Sequence, residues 1–159
     1  MQNYVLKGLR IKNAIDRNKL KDSLIDISEF ANEGILKFSF VYSELYRSNY
    51  GNYIPVNLDI NVYIPNDDIN EIVFDLGYIY RQYNTSQIIR LIENINRESA
   101  FIKFVIHNNR GWDKVLGIVR YKNTIDRFDG QVFCNVINER AEDVLNNYYG
   151  RFIELMGED

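Results

Sequence analysis

At 159 residues the chain is long enough to bury a core without disulfide or metal staples, and its size fits one domain. Hydrophobic residues make up 46%, charged residues 26%, and the formal net charge is −3, the profile of an ordinary globular protein and one that disfavours nucleic acid as a partner. A single cysteine, Cys134, excludes an intramolecular disulfide framework and fits a reducing cytoplasm.

The chain opens on a basic stretch. Over residues 1–21, Lys7, Arg10, Lys12, Arg17, Lys19 and Lys21 stand against Asp16 alone, so the remainder is more acidic than the total. Residues 1–15 read as a loosely held basic segment of the same domain, without a signal-peptide pattern. No apolar run approaches the length needed to span a bilayer, so no membrane partner is expected. The first helix is predicted over Asn18–Asn32, with Leu20, Leu24, Ile27 and Ala31 at helical spacing and Gly34 after its end.

Three strands follow. Leu36, Phe38, Phe40 and Tyr42 alternate with smaller or polar residues. In the second strand Ile54, Val56, Leu58, Ile60, Val62 and Ile64 face the core, and Tyr53, Pro55, Asn57, Asp59, Asn61 and Tyr63 face away. The third, Ile72–Tyr80, places Ile72, Phe74, Leu76 and Tyr78 on one side. A helix then starts near Asn84, with Asn84 and Gln87 at capping-box spacing, and buries Ile88, Leu91, Ile92 and Ile95. A second hairpin pairs Phe101–His107 with Val115–Lys122 around Asn108-Asn109-Arg110-Gly111. The last helix, Gln131–Met156, is capped by Asp129. It turns Phe133, Ile137, Ala141, Val144, Tyr148 and Phe152 inward, with Gly150 as a weak point. The order is α-β-β-β-α-β-β-α: an α+β, two-layer domain built on an antiparallel five-stranded sheet.

Chemical signatures are sparse. His107 and Cys134 are each the sole residue of their type, too few for a His/Cys zinc site. His107 lies beside a polar turn without a nucleophile motif, and Cys134 reads as a buried thiol. Asn66-Asp67-Asp68-Ile69-Asn70-Glu71 lacks the glycine and spacing of a calcium loop, and no phosphate-binding glycine loop is present. No catalytic, cofactor-binding or metal-binding residue is assigned, and no cofactor is expected.

Certain short stretches carry a family likeness. Gly51-Asn52-Tyr53-Ile54-Pro55-Val56-Asn57-Leu58-Asp59, the Ile92–Asn96 helix end leading into Phe101-Ile102-Lys103-Phe104, and Phe128-Asp129-Gly130 before the last helix resemble the YbjN-like family of bacterial sensory transduction regulators. That resemblance, covering roughly residues 30–156, implies a fold like that of type III secretion chaperones and offers no catalytic residues. The expected function is a non-enzymatic protein-binding module, chaperone-like or regulatory, homodimeric, acting on another protein in a bacterial cytoplasm. Its contact residues are expected to be the tyrosines Tyr53 and Tyr63, with Tyr46 and Tyr50 nearby, because tyrosine buries area while keeping a polar tip. Two alternatives remain: a phage or mobile-element protein that blocks a host factor such as a defence nuclease, and a small-ligand-binding domain or enzyme.

Overall fold

The computed structural model of the protein describes residues 36–47 by their backbone and residues 51–64, 69–122 and 129–157 more fully. The predicted first helix, the Asn66–Asp68 turn and the Asp126–Phe128 segment lie outside these residues.

The architecture is α+β. Strands β2 (Tyr53–Ile64), β3 (Ile69–Tyr78), β4 (Lys103–Asn109) and β5 (Trp112–Lys122) form an open antiparallel sheet in the order β2-β3-β5-β4. The backbone of β1 (Leu36–Arg47) pairs antiparallel along β2, from Leu36 opposite Ile64 to Arg47 opposite Tyr53. One face of the sheet carries helix α1 (Thr85–Glu98) and a long C-terminal helix. The latter runs as α2 (Gly130–Asp143), a π turn (Val144–Tyr149) and α3 (Gly150–Met156).

The core follows from strand alternation. On β2, Val56, Leu58, Ile60 and Val62 are buried, while Tyr53, Pro55, Asn57 and Asp59 are exposed. Each such burial stabilises by about 1.5–3 kcal/mol. Ile72, Phe74 and Leu76 continue the inner face on β3, and Phe104, Val115 and Val119 on β4 and β5. Against them lie Ile88, Ile92 and Ile95 of α1 and the predicted stripe of the last helix. Phe104 is the meeting point, its ring 4.9 Å from Phe152 and 5.3 Å from Tyr148. It packs over Gly117, directly opposite on β5, where an added Cβ would fall 2.8 Å from Phe104 Cε1 and 3.0 Å from Ile102 Cδ1.

The C-terminal stripe has spacings of four, four, three, four and four, which overrun the helical period of about 3.6 residues. The wider π turn takes up that excess, so Phe152 and Met156 still face the core. Asp129 caps α2 as predicted, its carboxylate accepting from the Gln131 and Val132 amides.

Asn84 does not cap α1. Its Nδ2 donates instead to the Leu155 carbonyl at 2.8 Å, while the Tyr80 and Arg81 amides donate to the Met156 carbonyl. Arg81 Nη1 reaches the Glu154 carbonyl at 3.1 Å. The carbonyls at the end of α3 are thus satisfied by the connection between β3 and α1, since a helix C-terminus has no partners of its own.

Asn96 closes the outer edge of the sheet. Its Nδ2 donates to the Phe104 carbonyl at 2.9 Å and its Oδ1 accepts from the Phe104 amide at 2.7 Å, as a neighbouring strand would. Lys103 Nζ donates to the Asn96 and Ser99 carbonyls. A two-residue turn joins β4 to β5, Arg110 (φ 54) and Gly111 (φ 87) both lying in the left-handed region that suits the twist of a hairpin.

Two substitutions test this packing. Asn96→Ala removes both partners of Phe104 and should cost about 1–3 kcal/mol in chemical denaturation, with faster amide exchange at Phe104. Gly117→Ala should cost about 1–3 kcal/mol by pushing Phe104 off its seat, read as a lower midpoint at unchanged m-value.

Candidate functional site

The face opposite the helices carries the odd-numbered residues of β2 and those registered with them. Asp59 stands opposite Asp75, Asn61 opposite Val73 and Tyr63 opposite Glu71 on β3; across β5, Asp75 meets Leu116, Val73 meets Ile118 and Glu71 meets Arg120. On β4, Lys103, Val105 and His107 complete the rows.

One end of this face is remade by a bulge. Between Asp75 and Tyr78 the ladder with β5 advances three residues on β3 against two on β5, Leu116 to Lys114. Gly77 takes φ +100°, a conformation that residues with a Cβ rarely adopt, and its amide donates to Asp75 Oδ1 at 2.8 Å. The extra residue reverses the alternation. Tyr78, expected beside Leu76 in the core, stands instead on the outer face over Lys114, and Ile79 is buried in its place.

Around Tyr78 a compact cluster forms. Lys114 Nζ bonds Asp75 Oδ2 at 2.8 Å and lies 4.5 Å from the Tyr78 ring centroid. The Trp112 and Tyr80 rings meet Tyr78 edge-on at 6.3 and 6.4 Å. Trp112 is 55% and Tyr80 41% exposed, so the aromatic surface is offered to solvent. Burial opposes the Lys114 charge, but Asp75, by hydrogen bond and by charge, together with Tyr78, outweighs it and holds the ammonium above the usual lysine range. Asp59 moves the other way in chemical terms: burial first, then the Asp75 charge, raise its carboxyl above the usual range, partly offset by Lys114.

A lysine held more firmly charged is a poor nucleophile. His107 is exposed, Cys134 is buried, and no three His, Cys, Asp or Glu side chains converge among the described residues. No described helix is long and apolar enough to cross a membrane.

The tyrosines singled out from the sequence are spread apart. Tyr53 is 65% exposed at the start of β2 and Tyr63 half-buried near its end. Ten residues of extended chain separate them by about 33 Å, with Pro55, Asn57, Asp59 and Asn61 between on the same face. Tyr46 is placed by its backbone opposite Ile54, and Tyr50 lies outside the described residues. The sequence reading missed Asp75, Tyr78, Trp112 and Lys114; the glycine inside the Asp75-Leu76-Gly77-Tyr78 strand was the signal that could have found them. No protein-family model, curated protein or solved structure matches this chain.

Because Asp59 binds its proton more tightly folded than unfolded, its ionisation opposes folding above the folded pKa. Asp59→Asn should therefore raise Tm at pH 7 by about 1–3 °C, the exposure of this residue keeping the effect small. The gain should shrink as pH falls through the raised pKa and vanish below the unfolded value of 3.8. Paired thermal melts from pH 7 to pH 3 measure it.

Proposed function

We propose that the protein is a non-enzymatic protein-binding module, chaperone-like or regulatory, which holds another protein against the outer face of its sheet. The observation that carries this reading is the solvent-facing aromatic cluster of Tyr78, Tyr80 and Trp112, fixed by Asp75 and Lys114. Rigid aromatics with polar tips contribute contact area at little conformational cost, and they dominate binding energy at protein interfaces. In this reading the whole chain is a five-stranded, two-layer domain of order α-β-β-β-α-β-β-α, a bacterial cytoplasmic homodimer like the YbjN-like regulators it resembles. Tyr53 and Tyr63, the tyrosines of β2 that belong to this face, extend the contact along that strand.

The test is capture by immobilised protein from a lysate of cells carrying the gene, with bound proteins quantified by mass spectrometry. A protein held by the wild type should be lost at least about tenfold, the equivalent of about 1.4 kcal/mol, from the Tyr80→Ser/Trp112→Ser variant at unchanged Tm. Undiminished capture by that variant would move the contact off this face.

A further inference from the structure

Around Tyr78, Tyr80 and Trp112 the fold itself takes up many of the polar groups. The Ile79 amide donates to the Asp113 carbonyl at 2.8 Å, and the Tyr80 and Arg81 amides donate to the Met156 carbonyl. The Gly77 and Gly111 amides go to the side chains of Asp75 and Asn108. These amides are therefore closed to an added strand. The carboxylates are engaged as well: Asp75 holds Lys114 at 2.8 Å, and Asp113 Oδ1 accepts from Asn108 Nδ2 at 3.0 Å. The Lys114 ammonium also lies 4.5 Å from the Tyr78 ring centroid, so a cation of this chain already occupies that ring. What remains open on the rings is apolar surface and two groups able to donate, Trp112 Nε1 and the Tyr80 hydroxyl. Neither is hydrogen-bonded among the described residues, and both side chains are exposed.

We infer that this cluster takes a proline-rich segment of the partner in the polyproline II conformation. The inference rests on the reading of the cluster as a protein-contact surface and names the chemistry of what it holds. Such a segment has no internal hydrogen bonds and is stiff before it binds, so ordering it costs little. Its rings pack on aromatic faces, and its carbonyls accept while its prolines donate nothing. That is the complement of ring faces edged by donors. Tyr80 and Trp112 meet Tyr78 at 65° and 71°, with centroids 6.4 and 6.3 Å away. Rings set at such angles make ridges with hollows between them, not one flat plate. One polyproline II turn, three residues at about 3.1 Å each, is of the same scale. Lys114 and Asp75 fix Tyr78 between the other two rings, so the surface is formed before the segment arrives. A basic segment, the other ligand that aromatic faces favour, would meet the Lys114 ammonium there.

Trp112 is the only tryptophan of the chain and 55% exposed, so its emission reports on whatever covers it. The full chain is titrated with a nonaproline peptide, and separately with a glycine-serine peptide of equal length and with nona-arginine. Nonaproline should give a saturable shift of the emission to shorter wavelength, half-complete below about 1 mM. Tyr80→Ser should raise the half-saturation point at least about tenfold. Tyr80→Phe, which keeps the ring and loses the donor, should raise it about threefold. Melting curves within a few degrees of wild type confirm that the variants fold; if the serine variant does not, the phenylalanine variant decides.

No shift with nonaproline overturns the inference. So does an equal or larger response to glycine-serine or to nona-arginine, or wild-type affinity in the Tyr80 variants. The broader reading fails separately. A protein captured from lysate through Tyr80 and Trp112 keeps that reading even if nonaproline does not bind. Nonaproline binding at Tyr80, with every captured protein indifferent to Tyr80→Ser/Trp112→Ser, removes the broader reading instead.

Discussion

One inserted residue in β3 sets the terms for much of this molecule. The bulge between Asp75 and Tyr78 shifts the phase of the chain by one position, and three consequences follow from that shift. Tyr78 turns out to Lys114, Ile79 turns in to the core, and the next two amides reach the last carbonyl of the C-terminal helix. Without the shift Tyr78 would fall on the core side of the sheet, away from Lys114 and Trp112. The conformation depends on Gly77, and the Asp75 carboxylate holds it by accepting the Gly77 amide while also pairing Lys114. Fold and surface chemistry thus share one carboxylate.

What the sequence discloses depends on how uniform each pattern is. β2 was read correctly from Val56 to Val62 because its inward positions are all branched aliphatics and its outward ones there are polar, so no other phase was competitive. The face of the C-terminal helix was equally plain, from Phe133 to Phe152, yet the π turn that keeps the face aligned leaves no composition cue. β3 was misphased beyond Leu76 because period-2 alternation was carried through a glycine, where a strand most readily gains a residue. Asn84 was taken for a cap on local spacing, but its partner lies 71 residues away, beyond the reach of any window along the chain. The candidate surface was correspondingly half legible. The outward tyrosines of β2 were visible, whereas Trp112, Tyr78 and Lys114 converge only through strand pairing.

The opposed aspartates illustrate why such surfaces carry information. Like charges directly across two strands destabilise a sheet, and here Asp59 faces Asp75 in register. The strain is eased by Lys114 and by the raised pKa of Asp59. Asn70 is a parallel case within the core layer: it is fully buried with neither side-chain amide atom hydrogen-bonded. Stability alone would favour an apolar residue at either position.

The Asn96 clamp also bears on how the chain reaches this structure. It joins two groups only eight residues apart, whereas the β3–β5 pairing closes a loop of about forty residues between Asp75 and Leu116. Loop closure costs more as the loop lengthens, so the helix-to-strand corner at Asn96 is among the first contacts the chain can make at little entropic expense. With one backbone edge of Phe104 already occupied, β4 has a single edge left to pair at that position. The hairpin partner β5 is the nearest chain available to fill it. A side-chain amide that finishes the sheet in the native state therefore also narrows the choice of pairing while the sheet is being built.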